Sequence, residues 1–339
     1  MTYTENAINI LTVKTYKGVG NAWVVKNLKG NESVNTIVSL LNDKSKQNEV
    51  VTIDDFESRQ YEIKEKLCHL EDSCDGLIAI GDKNFPEYRG NVKQSEQPIY
   101  LFYKGDIDLL NIHNNNITVI GLLNPDETIE ARERKIVEEI IKRDITIVSG
   151  LAFGCDSIAH QQAMAGGKTI AILPSPLNDI LPAKNRNLAF EIVEEGGLLI
   201  TEYYEKFKSK MELSSRYKER DRLQALFCDT IILAASYAQD SAKRWNKHDK
   251  KLDSGARLAM EYAKNYKISS AIMYNEDTDK DNPMFDLNRQ LLAEQKDIVI
   301  LTPKNLEKII NKIKEKKHIE NYKKESFHKA NLFSLSNVS

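Results

Sequence analysis

The feature that most constrains this chain is a run of short apolar segments, rich in β-branched residues, that alternates with helix-period stretches from residue 77 onward. They lie at 77–80, 99–103, 117–121, 145–149, 169–173, 198–200, 230–234, 270–274 and 297–301. Most are apolar on both parities, the pattern of strands covered on both faces, as in a parallel sheet flanked by helices. Between them, stretches such as 127–142 and 254–264 place apolar residues at helical spacing. The alternation predicts right-handed βαβ units and an α/β fold with a doubly wound, mostly parallel sheet.

Residues 1–76 follow another rule. Apolar residues recur at helical spacing in 7–13 and 36–41, a Gly-containing break (KGVGNAW, 17–23) divides them, and a polar connection follows at 42–49. We expect a small N-terminal helical domain over 1–76 and the main domain over 77–315. At the other end, 304–317 reads as a basic amphipathic helix with Leu306, Ile309, Ile310 and Ile313 on one face. Residues 316–339 are expected to form a basic, flexible tail.

Composition narrows the function classes. With 48 Lys and Arg against 50 Asp and Glu, no global field attracts nucleic acid or an anionic membrane, so any polyanion site must be local. No apolar run approaches the roughly 20 residues that span a bilayer, and the first ten residues carry no secretory pattern. Cys68, Cys74, Cys155 and Cys228 show no metal-ligand spacing and read as reduced thiols. The expectation is a cytoplasmic chain with no membrane contact, no metal and no cofactor.

In open α/β sheets, ligands bind beyond the carboxyl ends of the strands, so the residues after each strand carry the functional signal. After the strand at 145–149 comes Gly150-Leu151-Ala152-Phe153-Gly154-Cys155-Asp156-Ser157, a strand–loop–helix turn whose glycines permit close approach and whose free N–H groups attract phosphate. The same turn can be purely structural. It matches no P-loop and no GxGxxG with a ribose-binding acid, and no GxSxG elbow or kinase set occurs. His160, four residues past Asp156, reads as a helix-packing histidine rather than a catalytic base. Lys184, Asn185 and Arg186 open a helix after the next strand. Arg216, Lys218, Arg220 and Arg222 crowd the segment before 230–234 beside Glu219 and Asp221. That cluster reads either as a solvated helix start with local ion pairs or, with three loops converging on one sheet edge, as a track for phosphates and bases.

Taken in order, these segments resemble the DNA-processing protein A family, also called the Smf family. SGLAFGCDSIAH (149–160) resembles its SGxAxGxDxxAH segment, LPAKNRNL (181–188) its YPxxNxxL, LLITEY (198–203) its LLSEY, and RDRLQAL (220–226) its RNRIIAGL. Ser254-Gly255 stands where that family opens a helix with SG, and KGVGNAW is similar to its N-terminal helical hairpin. The likeness spans about residues 8 to 313. It implies a Rossmann-like domain that binds single-stranded DNA without catalysis, pairs as a homodimer and loads a recombinase onto the strand during natural transformation. The DNA-contacting positions it implies are Ser149, Gly150, Gly154, Asn185, Arg220 and Arg222. Charge and placement add Arg186 and Lys218, and the candidate set also takes Gly121, Phe153, Lys184, Ser254 and Gly255.

The departures are as informative. Where the family has VGSR, Gly121 is followed by Leu122-Leu123-Asn124, and where it has the Asn of RNR, this chain has Asp221. A basic insertion at 238–253 contains Trp245, which reads either as an added DNA or protein contact or as a solvated loop. A second function class therefore stays open: a diverged regulator, antitoxin or nucleotide-ligand sensor with a toxin-like partner, in an anti-phage system. The apolar face of 304–317 and the segment 285–292 are candidate dimer contacts.

Overall fold

The structure, a computed structural model, describes residues 1–246, 255–315 and 317. Its strands are β1 (Thr2–Tyr3), β2 (Gly76–Ala79), β3 (Tyr100–Gly105), β4 (Asn116–Ile120), β5 (Thr146–Ser149), β6 (Thr169–Ile172), β7 (Leu198–Thr201), β8 (Thr230–Leu233), β9 (Ser269–Met273) and β10 (Val299–Leu301). The helices are α1 (Glu5–Val13), α2 (Asn21–Asn27), α3 (Val34–Lys44), α4 (Ile53–Leu67), α5 (Glu127–Ile141), α6 (Cys155–Ala163), α7 (Arg186–Glu194), α8 (Lys210–Leu226), α9 (Ser241–Arg244), α10 (Ala256–Tyr266), α11 (Glu276–Asp279) and α12 (Asp286–Glu294). A last helix occupies 306–315.

All ten strands form one sheet in the order β1-β2-β3-β7-β6-β5-β4-β8-β9-β10. From β7 to β10 every pairing is parallel. The chain steps outward from β4 through β5 and β6 to β7, then returns along α8 to place β8 on the other side of β4. The order reverses there, which confirms the doubly wound α/β reading and opens the crevice where such sheets bind ligands. β3 departs from the pattern by running antiparallel to both β2 and β7. Residues 80–99 join the two strands without a crossover helix, reaching across to Leu226 and Tyr266 through the backbone N–H groups of Arg89 and Asn91 before the chain re-enters the sheet.

Central strands are buried along their length, for example Ile117, Val119, Ile147, Ile170 and Ile232, each at 2% exposure or less. Full burial of such a side chain contributes about 1.5–3 kcal/mol. The N-terminal helices share this sheet. Ile8, Leu11, Leu41, Phe56 and Ile63 join one hydrophobic cluster with Leu77, Phe102, Leu199 and Ile192, and β1 adds a parallel edge beside β2.

Two surfaces considered for self-association are used internally. Leu306 and Ile310 of the last helix are buried against the main core, with Ile309 and Ile313 packed alongside, and Leu287 and Leu291 of α12 are likewise covered. The insertion behaves similarly where it is described. Ser241 Oγ and Trp245 Nε1 (2.7 Å) both donate to Asp286 Oδ2, and Arg244 lies 3.4 Å from the same carboxylate. Trp245 is thus a strut onto α12. Residues 247–253 of the insertion, Ser254, and 318–339 of the expected tail lie outside the described residues. Among the described residues, no helix is long and apolar enough to cross a membrane.

Candidate nucleic-acid interface

The loops after β4 and β5 meet α8 and the start of α10 around a pocket of about 360 Å³ at the carboxyl ends of the strands. Two walls are apolar: Leu123 from the first loop, with Ala152 and Phe153 from the second. Leu123 and Phe153 are 46% and 42% exposed and both border the pocket. The floor comes from α8. Ser209 caps that helix by accepting from Glu212 N–H, so Tyr217, Arg220, Asp221 and Gln224 fall at i, i+3, i+4 and i+7 and form one stripe facing the pocket.

The loop is built to let Arg220 come close. A β-carbon on Gly150 would overlap Nη1 of Arg220, and one on Gly154 would overlap the carbonyl oxygen of Leu122. Gly154 also sits at φ +69°, a left-handed conformation that glycine adopts without strain. Gly121 leaves room for Cys155, whose Sγ would lie 2.6 Å from a β-carbon there, and Gly255 leaves room for the Asp221 carboxylate. Asp156 turns back from α6 to accept from the N–H groups of Gly150 and Ala152, both at 3.2 Å. Those two donors therefore serve the protein's own carboxylate. Asn185 Nδ2 braces the loop from α7's entry by donating to Leu151 O (2.8 Å), Ala152 O and Ser157 Oγ. Ser149 is fully buried and donates to Val119 O at 2.7 Å.

Arg220 and Arg222 part company. α8 begins ten residues before Arg220, so the two are not at a helix entry, and side chains two apart on a helix point about 200° from each other. Arg222 faces away from the pocket. It donates from Nη1 and Nη2 to Glu202 (2.7 and 2.6 Å), from Nε to Glu96 O and from Nη1 to Glu219 O. Every arm is committed inside the protein, which makes it a fold clamp rather than a phosphate ligand. Among the described residues Arg220 has longer contacts, to Asp156 (3.7 Å), to Asp221 (3.6 Å) and over the Tyr217 ring (5.6 Å to its centroid), and its Nε has no hydrogen-bond partner there. Lys184, Arg186 and Lys218 are exposed, and none pairs with another described residue.

Burial governs the titrations. Asp221 is pushed up to about 7 by desolvation, with Arg220 opposing and Asp156 adding to the rise. Asp156 is raised by burial against the pull of Arg220. His160 is driven down to about 3, again by burial. Its Nδ1 lies 2.7 Å from Thr169 Oγ1, which itself donates to Ile147 O, so the ring is neutral and structural. The sequence singled out Gly121, Phe153, Gly150, Arg220 and Gly255 around this pocket. It missed Leu123, Tyr217, Asp221 and Gln224 as lining groups, and continuing the helical stripe from Arg220 finds the last three.

Comparison with known proteins agrees with this architecture. Residues 76–242 match the family model described as DNA recombination-mediator protein A. The chain is 32% identical to Protein Smf of Escherichia coli (strain K12) over 142 residues, 42% of this chain and 37% of that protein. It is 32% identical to the DNA processing protein DprA of Streptococcus pneumoniae over 143 residues, 41% of this chain and 47% of that one. The matched segment thus spans about half, or less, of these relatives. In structure, it superposes on DNA processing protein A from Streptococcus pneumoniae with a TM-score of 0.62 at 22% identity, covering 89% of this chain and 96% of the other. The DNA processing protein A of Helicobacter pylori, a structure concerned with its single-stranded DNA binding mode, aligns with a TM-score of 0.52 at 23% identity, covering 69% and 99%. Both likenesses are of fold. The family model and the sequence identities carry the assignment: through residues 76–242 the chain belongs to the DNA recombination-mediator protein A family.

Proposed function

We propose that the chain binds single-stranded nucleic acid across the carboxyl edge of its sheet, as a binding protein and not a catalyst. The observation that carries this reading is the composite site itself: an open pocket with exposed apolar walls, an under-bonded guanidinium in its floor, and partnerless cations at the entry of α7 and on α8. Phe153 and Tyr217 offer faces to a base, and stacking on aromatic groups contributes about 1–3 kcal/mol per base. Lys184, Arg186 and Lys218 supply screened, sequence-independent attraction for phosphates. A non-catalytic role is supported by His160, whose buried ring stays neutral and does not titrate near neutral pH, and by Cys155, whose thiol is pushed well up by burial with Glu133 beside it. The homodimer and the recombinase partner implied by the resemblance belong to this proposal and are tested by light scattering and by co-sedimentation with a recombinase on single strands.

Fluorescence anisotropy with labelled single-stranded DNA, duplex DNA and mononucleotides across a salt series tests the core of it. Expected is a preference for the single strand and a log K against log salt slope of roughly −2, about −0.7 for each of three phosphate contacts. Equal affinity for duplex, or no binding at low salt, overturns the proposal.

A further inference from the structure

The polar floor of the pocket is incomplete in a specific way. Among the described residues Arg220, 5% exposed, makes no hydrogen bond, and Gln224, 2% exposed, has no partner for its Nε2. Asp221 is 4% exposed, and among the described residues its one ion pair is the 3.6 Å approach to Arg220 Nε, while Gly255 carries no side chain to crowd its Oδ2. A donor fork and an acceptor fork thus stand side by side on one turn of α8, beside the apolar walls of a pocket of about 360 Å³. A phosphate is poorly served here, because Asp156 and Asp221 both border the floor.

The two departures from the resembled family fall in this pocket. Leu123 stands where that family has an arginine, and Asp221 where it has an asparagine. In this chain the two positions supply an apolar wall and a carboxylate, so the charged groups that line the pocket among the described residues are Asp156, Arg220 and Asp221.

Resting on the reading that this pocket receives a base of a single strand, we propose that it selects guanine, with Arg220 donating to O6 and N7 and Asp221 accepting from N1–H and the N2 amino group. Guanine alone among the four DNA bases presents two adjacent acceptors for a guanidinium and two adjacent donors for a carboxylate. Arginine to O6 and N7 is the commonest base-specific contact in DNA recognition. Thymine would turn carbonyl oxygens toward the carboxylate, while adenine and cytosine offer it a single amino group. A site built from buried hydrogen-bonding groups rejects a ligand that leaves them unpaired.

The test measures affinity for a dT oligonucleotide carrying one central dG, dA, dC or dI, with dGMP and dTMP as competitors. The dG strand is expected to bind roughly tenfold to hundredfold tighter than all-dT. Hypoxanthine, which lacks the N2 amino group, should fall between them. In Asp221→Asn the dG:dT ratio drops towards one, and a melting curve checks that the variant is folded. Arg220→Lys, which keeps the charge but loses the fork, also lowers that ratio. Single-strand binding with no base preference overturns guanine selection and leaves the proposed function standing. Selective binding of dGMP with no affinity for any strand does the reverse.

Discussion

Arg220 lies against Gly150 so closely that a side chain there would have to push it aside: a β-carbon on Gly150 would occupy the space of Nη1. The loop after β5 and the reading face of α8 are thereby one unit, although 70 residues separate them. Gly150→Ala is expected to displace the guanidinium at its flexible end, weakening single-strand binding roughly tenfold, about 1.4 kcal/mol. Unchanged affinity in a folded variant would show that Arg220 takes no part in binding.

Gly154 should behave differently. At φ +69° and with the Leu122 carbonyl against it, Gly154→Val strains the backbone and forces the two loops apart. A loss of roughly 2–4 kcal/mol is expected, read as a lower denaturant midpoint without ligand present. A variant of normal stability that merely fails to bind would reverse this assignment.

Arg222→Ala removes one partner of a buried pair and strands Glu202. Breaking such a pair costs about 3–5 kcal/mol, so thermal unfolding should shift strongly downward. Glu202→Gln added to it should restore part of the loss. The salt slope of binding, measured on the protein that remains folded, should not change; a reduced slope would place Arg222 on a phosphate after all.

Asp221 gives a pH signature. Its carboxyl titrates near 7 in the folded chain, against an ordinary value of 3.8. The folded state therefore keeps the proton to higher pH than the unfolded state, and stability declines as pH rises from about 4 to 7. Asp221→Asn removes that decline. The variant should match the parent at pH 4 and exceed it above pH 7 by a few kcal/mol. A difference that stays flat between pH 4 and 8 refutes the raised titration.

Lys184→Ala, Arg186→Ala and Lys218→Ala should each reduce the magnitude of the salt slope by about 0.7 and weaken all sequences alike. Thermal midpoints should hardly move, since none of the three pairs within the described residues. Sequence-dependent losses would move these cations from phosphate contact to base contact.

What the sequence made legible follows from where the physics is local. Buried strands are written in β-branched runs, so β2 to β10 could be located from composition alone. β1 could not, because two residues carry no periodicity, and its place is set by pairing with Gly76 and Leu77. The antiparallel turn of β3 was equally hidden, since polar residues between 80 and 99 do not say which way the chain returns. In the site, the family motifs brought Gly150, Gly154, Asn185 and Arg220 to one crevice. They did not separate Arg220 from Arg222, because that depends on helix phase. The phase was available: Ser209 and Glu212 form an S-x-x-E start signal, and counting from Ser209 puts the two arginines on opposite sides.

α8 therefore holds two independent addresses. Arg216, bound to Glu212 and Glu205 O, and Arg222, bound to Glu202, fasten one side of the helix to the protein, while Tyr217, Arg220, Asp221 and Gln224 line the pocket from the other. Substitutions on the pocket side change what is recognised without loosening the fastening, and those on the fastened side do the opposite. A lineage carrying such a helix is free to retune its ligand one residue at a time, each intermediate still folded.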